Sequence, residues 1–130
     1  MSFKLSWEPH GVYVKFDGKL SGEVLASAVM RIHGDERFDR LRYSINDFLD
    51  CDEVSVAAAT MEFLSALDAG GALSNPHITI IVIARSPEAI QLVEAYRASG
   101  VSRYATVIFP SVAAAREWLT GKLSSVVTRT

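Results

Sequence analysis

The chain has 130 residues, enough for one domain with a real core but not for two. Apolar residues make up 49% and charged residues 22%, which excludes an intrinsically disordered chain, and a net charge of −2 offers no basic face for nucleic acid. One cysteine precludes an internal disulfide, and the longest apolar run, "ITIIVIA", is too short to span a bilayer.

"FKLSWE" alternates Phe3, Leu5 and Trp7 against polar residues, and "VYVKF" alternates again with Val12, Val14 and Phe16. With "PHG" between them, the two runs predict a β-hairpin. Ser21 is a suitable N-cap for a helix carrying Leu25, Ala28, Val29 and Ile32, closed by Gly34 as a C′ residue. The next strand lies in "RFDRLRYSINDFL", with Leu41, Tyr43 and Ile45 predicted on one face. A helix follows the acidic residues with Val56, Ala59, Phe63 and Leu67 as its expected buried stripe, and "AGGALSNP" stops it. "HITIIVIA" is continuous and β-branched, as expected of a strand covered on both faces. "SPEAIQLVEAYRASG" has Ser86 as cap, Pro87 in the first helical position and Gly100 at its end. "YATVIF" is a further strand, and "PSVAAAREWL" a last helix capped by Ser111.

The order β-β-α-β-α-β-α-β-α implies a single-domain α/β fold over residues 1–120, with a mixed, mostly parallel sheet and an N-terminal hairpin. Residues 121–130, rich in Ser and Thr, are expected to form a frayed tail. Ligands of such sheets tend to bind beyond the carboxyl ends of the strands, near a switch in strand order.

Asp47, Asp50, Asp52 and Glu53 crowd Cys51 and Ser55 in "YSINDFLDCDEVS", which invites a reading as a catalytic or phosphate-handling site. A phospho-acceptor domain needs a second acidic strand end and a lysine after the last strand, but "ITIIVIA" ends at Arg85 and the last strand at "IFPS". Asp47 also lacks the Asp-x-Asp spacing of a Mg²⁺-dependent phosphotransferase. Carboxylates at a strand end opening a helix have a simpler explanation as solvated partners of the helix dipole. Cys51 is flanked by two aspartates that raise a thiol pKa, so it is a poor nucleophile. His10, His33 and His77 have no metal-ligand spacing, and the only glycine pair follows a helix, where it cannot cradle a phosphate. No catalytic residue, metal site or cofactor is assigned.

The whole pattern, carried by "HGVYVKFDGKLSGEVLASAVMRIHGDERFDRLRYSINDFLD", "LDAGGALSNP", "ITIIVIA" and "VIFPSVAAAREWL", resembles bacterial proteins of the SpoIIAA-like, or STAS-like, fold over roughly residues 3 to 119. The resemblance implies a mixed sheet with a hairpin and packed helices. It also implies roles such as anti-sigma-factor antagonists, stressosome components and transporter cytoplasmic domains. The family's phospho-switch rests on an Asp-Ser-Ser-Gly loop between strand and helix; here that region reads "DCDEVSVAAA", with Asp47 in a similar strand-end position and Ser55 as the only nearby hydroxyl.

These observations favour a non-enzymatic regulatory or protein-interaction module. Its docking or regulatory face would comprise Asp47, Asp50, Asp52, Glu53 and Ser55. A small-molecule or lipid-binding domain is the alternative, and an enzyme using Cys51 or the carboxylates is a third reading. A protein partner and a homodimer through the hairpin edge are expected. "MSFKLSWEPH" has no apolar stretch of signal-peptide length, so the expected location is cytoplasmic, without membrane insertion.

Overall fold

A computed structural model describes residues 2–129, with side chains through Leu123. Five strands and four long helices follow one another as β1 (Phe3–Trp7), β2 (Gly11–Ser21), α1 (Gly22–His33), β3 (Tyr43–Ser55), α2 (Ala58–Gly71), β4 (Thr79–Ile83), α3 (Pro87–Ala98), β5 (Ala105–Phe109) and α4 (Val112–Arg129). A short 3-10 helix, Glu36–Arg40, links α1 to β3.

The sheet has the order β1-β2-β3-β4-β5, antiparallel at β1–β2 and parallel elsewhere. Every strand therefore lies beside its neighbour in the chain, and the expected switch in strand order does not exist. Right-handed crossovers that all step in one direction must place their helices on one face. Accordingly α1, α2 and α3 share a core with Val12, Val14, Phe16 and Val82, whereas α4 alone covers the opposite face through Ala115 and Leu119, against Ile45, Ile81 and Ile83.

Local chemistry sets most boundaries. Ser21 ends β2 and caps α1, accepting a hydrogen bond from Val24 N–H at 3.2 Å, and Ser86 does the same for α3 through Ala89 N–H. Gly100, at φ 67°, supplies the left-handed residue that ends α3. Gly34 stops α1 with φ −82°, an ordinary right-handed conformation, so its closure does not use glycine's freedom.

Two expectations change. Leu41 precedes β3 and packs with the α1–α3 core, while Tyr43 and Ile45 face α4. The buried stripe of α2 is Met61, Leu64, Ser65 and Asp68; Ala59 and Phe63 face outward, and Phe63 is half exposed. The reason is that Ser65 and Asp68 find polar partners across the core, which rotates the helix away from its most apolar face. The backbone of α4 runs to Arg129, and the tail expected at 121–130 lies largely on side chains outside the described ones.

Candidate functional site

The acidic stretch is strand, not a strand-to-helix loop. Beyond Asp47 the strand β3 pairs only with β2, because β4 ends opposite Asp47 at Ile83. β2 and β3 thus continue as a two-stranded ribbon to Ser21 and Ser55, with two register shifts opposite Phe16 and between Gly18 and Lys19. Each shift places one extra β3 residue against β2, as β-bulges do, and bends the ribbon. The helix α2 begins only at Ala58, with Ala57 at its N-cap position and no side-chain cap. Asp50, Asp52 and Glu53 are therefore too far from α2 to serve its dipole, which corrects the simple explanation offered for them.

Asp50, Asp52, Glu53 and Ser55 are exposed on this ribbon. Lys15 Nζ lies 2.9 Å from Asp50 Oδ2, and Lys19 Nζ lies 4.0 Å from Glu53 Oε2, exposed pairs of small energetic weight. Asp47 differs from the other four. Its side chain is 1% exposed, on the α4 side of the sheet, where it accepts from the Tyr13 hydroxyl and from Leu49 N–H at 3.0 Å. Lys15 stands 3.7 Å away. Asp47 is a structural acceptor at the first bulge and does not belong to an exposed face.

Beside it, Glu8 receives a two-pronged contact from Arg116 of α4, at 2.7 and 2.6 Å, and a hydrogen bond from the Tyr43 hydroxyl. Arg116 holds the Glu8 carboxyl below its ordinary value, while Glu8 pushes the Arg116 pKa up. Burial, then the carboxylate acceptors, push Tyr13 and Tyr43 each up to about 12. These side chains fasten α4 to the hairpin, and each is spent on a neighbour.

Cys51 sits in β3 rather than at a helix start. Burial first, then Asp17, Asp47, Asp52 and Asp50, push its thiol up to about 11, as its acidic neighbours led one to expect. Among the described residues no group of three His, Cys, Asp or Glu side chains converges as metal ligands.

Sequence reasoning missed a polar network on the α1–α3 side. His33 Nε2 lies 2.7 Å from Asp68 Oδ1, and the Tyr96 hydroxyl lies 2.5 Å from Asp68 Oδ2 and 2.7 Å from Ser102 Oγ. Ser65 Oγ accepts from Ser102 N–H at 2.9 Å and meets Ser99 Oγ at 2.5 Å. Burial and Asp68 push the Tyr96 pKa strongly upward. Polar residues at helical spacing in α2, at 65 and 68, were the available signal. His33, Asp68 and Tyr96 also line a cavity of about 90 Å³ between the sheet and α1–α3.

No family model and no curated protein matches the chain. Solved structures do. The anti-sigma factor antagonist SpoIIAA in its unphosphorylated form superposes with a TM-score of 0.61 at 12% identity, over 92% of this chain and 98% of that one. The Bacillus cell fate determinant SpoIIAA in the phosphorylated form gives 0.52 at 14% identity, over 88% and 97%. A DUF3478-family protein with a SpoIIAA-like fold from Shewanella loihica PV-4 gives 0.54 at 12%, over 90% and 91%. Together with the five-stranded mixed sheet and its helices, these likenesses establish that the chain has the SpoIIAA-like fold.

Proposed function

We propose that this protein is a non-enzymatic regulatory or protein-interaction module that docks a partner on the β2–β3 ribbon. The observation that carries the reading is the ribbon itself: Asp50, Asp52 and Glu53 are exposed on a strand whose outer edge, beyond Asp47, pairs with no other described strand. An open edge supplies main-chain donors and acceptors, and three carboxylates select a basic segment to lie along it. The anti-sigma-factor antagonist activity named for SpoIIAA supports a partner-binding role. A serine phospho-switch is not part of the proposal. Ser55 ends β3 and Ala57 occupies the N-cap of α2, so a phosphoryl group on Ser55 would lie beside Asp52 and Glu53 without a helix terminus to stabilise it.

Self-association belongs to the same reading. The Thr106 carbonyl on β5 is taken by Arg97 Nη2 at 2.5 Å, whereas the outer edge of β1 pairs with no described strand, so β1 is the edge proposed for a homodimer. A sedimentation measurement that finds only monomer at high concentration removes this element.

Affinity capture from the host with the wild-type protein and with an Asp50→Ala, Asp52→Ala, Glu53→Ala variant tests the docking face. Loss of a partner retained by the wild type supports it; equal capture by both rules the ribbon out.

A further inference from the structure

The cavity between the sheet and α1–α3, partly open to solvent, departs from ordinary core packing in two ways. Protein interiors hold few voids larger than a water molecule, yet this one measures about 90 Å³. Moreover, central strands flanked on both sides should be fully buried. On the α4 face Ile45 and Ile81 are 0% exposed, but their neighbours Ser44, Asn46 and Ile80, on the helix face, retain partial exposure. The space these residues see is the cavity.

Its floor is polar in one place. Ser44, Ile80 and Thr106 occupy one rung across β3, β4 and β5, and Asn46 lies two residues further along β3. Asn46 Nδ2 reaches Ile81 O at 3.4 Å and Ser44 Oγ at 3.5 Å, both long. Among the described residues its Oδ1 and the Thr106 hydroxyl have no hydrogen-bond partner, so acceptors and donors face the space. The walls are apolar, with Leu64, Val82, Leu92 and Val29 among them. In the described lining His33 and Asp68 are bonded to each other, and no lysine or arginine lines it.

We propose that this cavity is a binding site for a small, uncharged, mostly apolar molecule with one hydroxyl or carbonyl group, which hydrogen-bonds to Asn46 and its hydroxyl neighbours on the floor. Size and charge define the class. A cavity of about 150 Å³ takes benzene, so about 90 Å³ takes roughly four carbons. A carboxylate head is disfavoured because it would be desolvated beside Asp68, with no lysine or arginine in the described lining and with His33 already bonded to Asp68. This site is separate from the acidic ribbon.

The test uses n-butanol and butyrate, matched in chain length and different in charge, titrated into methyl-labelled protein and followed by NMR. n-Butanol shifts the methyl signals of Leu64, Val82 and Ile80 saturably, with a dissociation constant on the order of millimolar, while those of Ile45 and Ile81 stay fixed. Butyrate binds at least tenfold more weakly. Val29→Phe fills the space and abolishes the butanol shifts. Should that variant lose its fold, Asn46→Leu serves instead and weakens butanol binding at least threefold. No saturable butanol shift, equal binding of butyrate, or unchanged butanol binding by a folded Val29→Phe or Asn46→Leu protein overturns the proposal.

Discussion

Replacing Asn75 should reveal how much stability one buried amide contributes. This side chain is 1% exposed and donates through Nδ2 to the carbonyls of Phe38 and Leu41, at 2.8 and 2.9 Å, while its Oδ1 accepts from His77 N–H at 3.0 Å. It thereby ties the segment before β3 to the segment before β4. In Asn75→Ala all three bonds vanish. Phe38 O keeps Leu41 N–H and Leu41 O keeps Arg42 Nη1, but His77 N–H loses its acceptor. At about 1 kcal/mol per bond, the loss is about 3 kcal/mol. With a urea slope of about 2 kcal/mol per molar, the unfolding midpoint falls by about 1.5 M. Asn75→Asp should be worse at pH 7, because a carboxylate oxygen then faces two carbonyl oxygens. The folded state raises the pKa of that introduced carboxyl above its unfolded value of about 3.9, so its protonated form is the stable one. The Asp variant therefore regains stability, relative to the parent, as pH falls from 7 to 4 and loses it as pH rises. Urea midpoints of the three proteins at both pH values decide the matter. An Ala midpoint within 0.3 M of the parent, or an Asp variant whose deficit is independent of pH, would refute the reasoning; the 0.3 M limit is roughly a fifth of the expected shift.

Three further outcomes follow from the same chemistry. Cys51, with its thiol pushed up from 9.0 to about 11, should react with a disulfide reagent at pH 7 about tenfold more slowly than an ordinary free thiol, the scarcer thiolate being partly offset by its greater nucleophilicity; a rate near that of the free thiol contradicts its assigned surroundings. Glu8→Gln should cost about 1 to 2 kcal/mol at pH 7 in thermal or urea unfolding. Because Arg116 lowers the Glu8 pKa in the folded state, this contribution is present above the ordinary value of 4.5 and disappears as pH falls below it, so parent and variant should converge in acid; a constant gap argues against the pair. A Cβ at Gly11 would sit 2.2 Å from the Tyr43 ring, so Gly11→Ala should destabilise by about 2 kcal/mol, and an unchanged midpoint would show that the buried ring can move aside.

Periodicity made the fold readable: the alternation of Val12, Val14 and Phe16, the β-branched run of β4 and the caps at Ser21, Ser86 and Ser111 each match an element with its face or start assigned. The acidic stretch misled because carboxylates in succession read as a loop, while β2 offers a long partner and the bulges absorb the mismatch in register. The phase of α2 was misjudged for a related reason. Ser65 and Asp68 look like surface residues until Ser102, Tyr96 and His33, distant in the chain, arrive as partners. Asn75 read as turn chemistry beside Pro76, and nothing local distinguishes a turn asparagine from one whose amide spans 34 and 37 residues of sequence. Among the five residues chosen as a site, Asp47 is the one whose burial no local pattern disclosed.

The sequential strand order also bears on how the protein is made. As the chain leaves the ribosome, each strand finds its pairing edge already present, and each crossover helix adds to a layer begun by the previous one. The α4 face has no such gradual history: Ile45, Ile81 and Ile83 stay bare until α4 is synthesised. Arg116 then reaches Glu8, 108 residues earlier, and joins α4 to the hairpin. A ribosome-bound chain halted before residue 112 would present that uncovered aliphatic strip, so the nascent protein is most exposed to chaperones and to misassociation before α4 has emerged.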